Sequence, residues 1–177
     1  IDIVRSGKAL YAGISKYPPR EQEYAYRLLA EAKVPCLVSQ YRYSMFDTAA
    51  AGENFGLAAA NGSGITVFSP LAQGLLTDRY LHGIPAGSRA ARSTGFLQMS
   101  QVTDDKIAKA RRLNELATRR GQTLAQMALA WILTDERVTS VIIGASSVKQ
   151  LSDNLGAIDS LSFSPEEFSE IRTVLSE

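Results

Sequence analysis

Two stretches hold the residues whose types and spacing could do chemistry. The first is GITVFSPLAQGLLTDRY, residues 64–80, where an apolar run stops at Ser69-Pro70 and a glycine follows at Gly74. Proline removes a backbone donor and ends a strand ladder, and glycine lets the chain turn, or approach a ligand, with no side chain in the way. The amides of such a turn can hold a phosphate or another anion. Ser-Pro and glycine also end strands for purely local reasons, so the pattern alone leaves both readings open. The second stretch is IIGASSVKQLSDN, residues 142–154, where Gly144, Ala145, Ser146 and Ser147 lead from an apolar run into a helix start. Free amides and the helix dipole favour phosphate at such a point, and Ser146 or Ser147 can equally cap the helix; the two roles are compatible. This stretch lacks the three spaced glycines of a dinucleotide fingerprint and the Lys-Ser/Thr pair of a Walker loop.

Other reactive side chains are sparse. The single cysteine, Cys36, lies in the apolar run VPCLVSQ and can form no internal disulfide, which fits a reducing compartment and a packing role. A nucleophilic role would need a base, and the only histidine, His82 in LTDRYLHGIP, reads as a solvent-facing surface residue.

The elements that must position these stretches follow from hydrophobic periodicity. The opening IDIVRSGK resembles the last turn of a helix before a Ser-Gly stop. Lys8 to Ser15 reads as a short parallel strand buried on both faces, Pro18 to Lys33 as a helix with proline at its start, and Val34 to Gln40 as a second strand. Residues 49–60 can form the next helix, and GITVFSP is a third strand. A stretch with Gly83, Pro85, Gly87 and Gly95 then reads as a long loop, about residues 74–104, with no packed element. Thr103 and two aspartates start a helix that Gly121 stops; Thr123 to Asp135 is a helix apolar on most of its circumference and so packed on two sides. Val138 to Ser147 is a fourth strand, a helix follows it, and Ser164-Pro165 starts the last one. Strand and helix in alternation argue for an α/β fold with a parallel sheet, whose ligand site lies at the carboxyl ends of the strands.

Composition narrows the partners. The chain has 177 residues, is 45% hydrophobic, and sets 19 Lys+Arg against 18 Asp+Glu. That balance gives no electrostatic footprint for nucleic acid or an anionic membrane, so neither is expected as a partner. No window reaches the roughly 18 apolar residues of a membrane span, and no secretory signal opens the sequence, so a cytoplasmic protein is expected.

The blocks ALYAGIS, VSQYRYS, FSPLAQGLLTDRY, GIPAGSRA, AQMALAWIL and VTSVIIGASSVKQLSDN, in this order, resemble the aldo-keto reductase superfamily. Within it they are similar to the branch of bacterial L-glyceraldehyde 3-phosphate reductases and voltage-gated potassium channel β subunits. The resemblance implies a (β/α)8 TIM barrel of which this chain supplies the fifth to eighth strands and the terminal helices. It also implies an NADP(H) cofactor. Ser15 and Gln40 match positions that hydrogen-bond the nicotinamide carboxamide, and Phe68 the aromatic position against the ring, often a tyrosine in the family. Ser69, Pro70, Leu71, Gln73 and Gly74 match the loop around the pyrophosphate, and Arg89 the loop arginine that closes over the phosphates. Gly144, Ser146, Ser147, Gln150 and Asn154 match the adenosine pocket. Related reductases often place Arg or Lys there, and Lys149 is the nearest candidate for that cation.

Half of the family pattern is absent. The tyrosine acid and its lysine, aspartate and histidine partners belong to the first four strands, and no block here resembles those segments. Tyr11, Tyr41 and Tyr43 do not match the acid. The chain is therefore expected to be the carboxyl-terminal portion of a longer reductase, 1–177 of one barrel domain, because a barrel needs roughly 250 residues. Four strands in an open arc would leave two bare edges. The expected partners are a small carbonyl substrate, the missing amino-terminal barrel half and, by analogy with the ring-forming β subunits, further copies in a homo-oligomer. The implied function is NADPH-dependent reduction of a small aldehyde or ketone; the alternative is a non-catalytic NADP(H)-sensing subunit.

Overall fold

Short apolar runs and amphipathic segments become strands and helices in alternation in the computed structural model, which describes residues 1–84 and 99–177. A single turn, α1 (Asp2–Arg5), precedes β1 (Ala12–Ser15), α2 (Pro19–Glu31), β2 (Cys36–Arg42), α3 (Glu53–Ala60) and β3 (Gly64–Phe68). Two helices, α4 (Asp104–Arg119) and α5 (Leu124–Leu133), come before β4 (Val138–Val141), which is followed by α6 (Val148–Leu155) and α7 (Pro165–Ser176). The side chains of Thr103, Thr123 and Ser164 each accept a hydrogen bond from the third residue of the helix they open. At Thr123 and Ser164 the bond is reciprocated by Gln126 and Glu167, closing two capping boxes.

The strands form one parallel sheet in the order β1-β2-β3-β4, which places the chain in the α/β class. Their register aligns Ser15, Gln40, Thr66 and Ser140 in one row across the sheet. Side chains alternate in direction along a strand, so one face carries Ile65 and Val67 and the other Thr66 and Phe68. The first face is the core. Tyr26 of α2, Phe55 and Ala58 of α3 and Ile132 of α5 pack there against Cys36, Tyr41, Ile65, Val67 and Val138. A second cluster joins Leu113, Leu116 and Ala117 of α4, Leu124, Met127 and Ala128 of α5, and Ile171 and Val174 of α7. Helix α5 contributes to both clusters, and Trp131 touches both, as its wide apolar circumference requires. Burying side chains of this size contributes about 1.5–3 kcal/mol each.

Several expectations need correction. The sheet is covered on one face and not on both: Gly13 and Ser15 of β1 are exposed, and so is Ser140 of β4, in the same row as Ser15. The strand expected from Lys8 begins only at Ala12; Tyr11 is exposed and Leu10 is 81% exposed, because nothing described pairs with the outer side of β1. The fourth strand ends at Val141 and not at Ser147: Val138, Ser140 and Val141 pair with β3, and beyond them the Ile142 amide makes one further bond, to the Val67 carbonyl. β2 runs past Gln40 to Arg42, and residues 49–60 break into a 3-10 turn at Ala49–Ala51 and α3. The stretch expected as an unpacked loop starts inside the core: Leu75, Leu76, Tyr80 and Leu81 are buried, with 3-10 turns at Ala72–Gly74 and Asp78–Tyr80. Cys36 is buried and His82 exposed, as expected. No helix among the described residues is long and apolar enough to cross a membrane.

Candidate functional site

The carboxyl end of β3 opens into a cleft of about 950 Å³, bounded by the loop after β3, the loop between β4 and α6, and one face of α4. The backbone of the first loop is unusual. Ser69, Ala72 and Gln73 hold φ of +56°, +46° and +60°, and Gly74 holds +102°. A non-glycine residue in that region costs about 1–3 kcal/mol and persists only where its surroundings over-determine it. Here they do. Gln73 Nε2 donates to Ser69 Oγ at 2.9 Å, the Gly74 amide donates to the Leu71 carbonyl at 2.8 Å, and Thr77 Oγ1 donates to the Gly74 carbonyl at 2.7 Å. Buried Leu75 and Leu76 anchor the downstream end. At Gly74 a side chain would be strained by its φ and would meet the Tyr80 ring at 3.4 Å. Leu71, at φ −96° and ψ 19°, is followed by left-handed Ala72, and this right-to-left succession is the backbone form of anion-binding concavities.

The opposite wall is the start of α6. Ser147 is its cap, its Oγ accepting from the Gln150 amide at 3.1 Å. The Gln150 side chain folds back, its Oε1 accepting from the Ser146 amide at 2.8 Å and from Ser146 Oγ at 3.0 Å. One turn later Asn154 is 5% exposed, lines the cleft, and has an Nδ2 with no hydrogen-bond partner among the described residues. A buried donor left unsatisfied costs about 1–3 kcal/mol. It is accounted for if a ligand acceptor occupies the cleft.

The cleft gathers Phe68, Ser69, Pro70, Leu71, Gln73, Gly74, Gly144, Ser146, Gln150 and Asn154. It does not gather the rest of the expected set. Ser147 is spent on the cap, and Ser15 and Gln40 lie on the open face of the sheet, where Ser15 Oγ donates to Gln40 Oε1 at 3.2 Å. Arg89 lies outside the described residues. Lys149 does not line the cleft: its ammonium pairs with Asp153 at 2.6 Å, and that hydrogen-bonded carboxylate raises its pKa. Among the described residues, the cation that lines the cleft is Arg79, exposed on the 3-10 turn beyond Gly74. Arg79, with Thr77 and Asp78, was missed by sequence reasoning although it follows Gly74 closely. So were Asn114 and Thr118 of α4, whose i,i+4 spacing puts two polar side chains on one helix face.

Among the described residues that line the cleft there is no histidine, tyrosine, lysine or cysteine. The cleft has amides, hydroxyls and a guanidinium suited to holding an anionic ligand, and its acids are Asp78 and Asp153. Among the described residues of its wall, none is a histidine, tyrosine or lysine of the kind that donates a proton in carbonyl reduction.

The family model described as aldo/keto reductase family matches residues 2–176. Over 174 residues the chain is 45% identical to the L-glyceraldehyde 3-phosphate reductase of Escherichia coli K12, covering 95% of this chain and 50% of that protein. It is 32% identical over 180 residues to a putative voltage-gated potassium channel subunit beta of Schizosaccharomyces pombe, covering 98% of this chain and 52% of the other. A probable voltage-gated potassium channel subunit beta of Oryza sativa is 33% identical over 178 residues, with 98% and 54% covered. The chain spans about half the length of the curated relatives it matches. With the match running over almost every residue, the chain belongs to the aldo/keto reductase family.

Proposed function

We propose that this chain is the cofactor-holding portion of an NADPH-dependent reductase of small aldehydes or ketones, such as glyceraldehyde 3-phosphate or methylglyoxal. The observation that carries the reading is the buried, unpartnered Nδ2 of Asn154, a residue lining a cleft that is also lined by the left-handed turn at Ser69–Gly74. The residues fit a dinucleotide. The pyrophosphate would lie against the turn amides with Arg79 and Arg89 as cations, and the adenosine end would meet Gly144, Ser146, Gln150 and Asn154. Phe68 would offer an apolar face to the nicotinamide. Gln40 accepts from Ser15 through Oε1, which leaves its Nε2 to donate to a carboxamide oxygen. When bound, NADPH supplies a hydride to the carbonyl carbon. The chain's own residues orient the ring and hold the phosphates.

On this reading the proton that completes reduction comes from elsewhere in a longer polypeptide, which also supplies the remaining strands of a (β/α)8 barrel. The uncovered flanks support that arrangement. Leu10, just before the edge strand β1, is apolar and 81% exposed, and Val148, in the helix that follows the other edge strand β4, is 83% exposed. An additional strand and helix layer closing the arc would cover both.

The test is to express the full-length polypeptide that contains this sequence and follow NADPH oxidation with glyceraldehyde 3-phosphate and methylglyoxal. Multiple turnover supports the reading, and tight NADPH binding with no turnover on any small carbonyl overturns it. That second result is the one expected of a nucleotide-sensing subunit, the reading favoured by the similarity to proteins named as potassium channel β subunits. Arg89→Ala should weaken NADPH binding under either reading.

A further inference from the structure

We propose that Arg42, held in place by Asp47, receives the anionic group of the carbonyl substrate, an inference that rests on the reductase reading above. Arg42 is the last residue of β2 and is paired in register with Phe68, the last residue of β3. Because Tyr41 and Val67 point into the core, Arg42 and Phe68 both project from the open face. Ile142 donates its amide to the Val67 carbonyl at 2.8 Å and continues the same row. The row at the strand ends is thus Arg42, Phe68, Ile142. The cleft is lined by Phe68 and Ile142 and runs from them toward Asn154; Arg42 does not line it and stands on the other side of Phe68. A dinucleotide with its adenosine at Asn154 and its reactive ring on Phe68 therefore leaves Arg42 one strand beyond the ring. Neighbouring strands are about 4.8 Å apart, on the scale of a three-carbon chain carrying a phosphate.

The guanidinium is placed and not merely exposed. Its Nε lies 2.7 Å from Asp47 Oδ2. Asp47 is fixed by reciprocal backbone bonds with Ser44, both 3.0 Å, and the Tyr43 amide of the same turn donates to the Phe68 carbonyl at 3.3 Å. Buried Met45 and partly buried Phe46 anchor this turn in the core. A guanidinium has five N–H donors and one carboxylate can take two at most in a bidentate pair, so donors remain for a second oxyanion. Asp47 is the only ion-pair partner of Arg42 among the described residues, and the Arg42 side chain is 59% exposed. An exposed pair of this kind adds little to stability. Lys16 supplies a second cation on the same rim. It follows Ser15 with φ +58°, its amide bonded to the Gln40 carbonyl at 2.9 Å, and it has no ion-pair partner among the described residues.

The experiment uses the full-length polypeptide and its Arg42→Gln and Asp47→Asn variants. For each, kcat/KM is measured with glyceraldehyde 3-phosphate and with uncharged methylglyoxal. The expected result is a fall of about 10-fold or more in the phosphate-to-neutral ratio for Arg42→Gln, carried by KM, and a smaller fall in the same ratio for Asp47→Asn. An unchanged ratio in Arg42→Gln overturns the proposal. Calorimetric titration with glycerol 3-phosphate reads the subsite without turnover. If neither aldehyde is reduced the reductase reading fails, yet loss of glycerol 3-phosphate binding in Arg42→Gln still upholds an anion subsite at Arg42. Equal binding by the two proteins, or binding by neither, overturns it.

Discussion

Gln73 donates from Nε2 to Ser69 Oγ across a turn in which both residues hold left-handed backbone. The bond ties the first and penultimate residues of the segment Ser69–Gly74 and so helps hold a conformation that would otherwise relax. A single neutral hydrogen bond of this type contributes about 0.5–1.5 kcal/mol. Ser69→Ala removes the acceptor without filling space. It should lower unfolding free energy by about 1 kcal/mol, measured by urea titration, and weaken NADPH binding several-fold because the turn amides lose their fixed arrangement. Weakened stability with unchanged nucleotide affinity would show that the turn serves only the fold.

Asn154 should behave in the opposite way. Its Nδ2 is already buried and unpartnered, so the native state without ligand bears the desolvation cost of that group. Asn154→Ala removes the cost along with the side chain. The variant should be destabilised by less than about 1 kcal/mol, far below the usual cost of truncating a buried side chain. NADPH affinity should nevertheless drop by about 10-fold, the equivalent of one hydrogen bond. A large loss of stability with no loss of affinity would place an internal partner on Asn154 and remove the observation on which the functional reading rests.

The contrast between these two residues shows which parts of the molecule are legible in a sequence. Periodicity and caps are local, so the alternation of strands and helices, the capped starts at Thr103 and Ser164 and the stop at Gly121 could be read directly. Register and edge effects are not local. The run Val138 to Ser147 reads as one strand, but regular pairing with β3 ends at Val141; Ile142 adds one amide bond to the Val67 carbonyl and with Ile143 lines the cleft. Positive φ leaves a signal at Gly74 and none at Ser69, Ala72 or Gln73, because those side chains give no hint of a left-handed backbone. Asn114 and Thr118 enter the site only through the docking of α4, a tertiary event. The expected two-sided burial of β1 failed for the same reason: alternation tells which residues share a face, and what covers the face lies elsewhere.

Two groups near the start of β4 set opposite pH limits on stability. Asp135 is held below its ordinary pKa by hydrogen bonds from the Arg137 side chain, against the opposing effect of partial burial. The unfolded state therefore takes up this proton first as pH falls, and the stability that the pair contributes is present above about pH 3.9 and lost below it. Tyr43, on the other side, is pushed up to about 12, chiefly by burial and then by the Asp135 charge. Its neutral form belongs to the folded state, so stability is full below about pH 10 and falls as the unfolded phenol ionises above it. Asp135→Asn should flatten the acid limb of a stability-against-pH curve and, by removing the charge beside Tyr43, also reduce the alkaline limb that burial mainly sets, while Tyr43→Phe should flatten the alkaline limb alone. A curve unchanged at both ends by both variants would exclude these groups as the source.

Arg120 joins α4 to α7 through the most enclosed ion pair described. Its side chain is only 5% exposed; Nη1 lies 2.5 Å from Glu167 Oε2, Nη2 donates to the Ser162 carbonyl at 2.9 Å, and Nε donates to Gln122 Oε1 at 2.9 Å. The guanidinium also lies over the Phe163 ring, 3.7 Å from its centroid. Glu167 has a second task, since its Oε2 accepts from the Ser164 amide at 2.8 Å in the capping box of α7. The two tasks can be separated. Glu167→Gln keeps an oxygen for the cap and removes the charge, whereas Glu167→Ala removes both. Stranding a buried charge costs about 3–5 kcal/mol, and loss of a cap costs about 1 kcal/mol. If the pair dominates, the two variants should lose most of the same free energy, with Ala worse by about the value of the cap. If Gln is tolerated and only Ala is costly, Glu167 matters as a cap, and Arg120 is held by its carbonyl partners and the Phe163 ring.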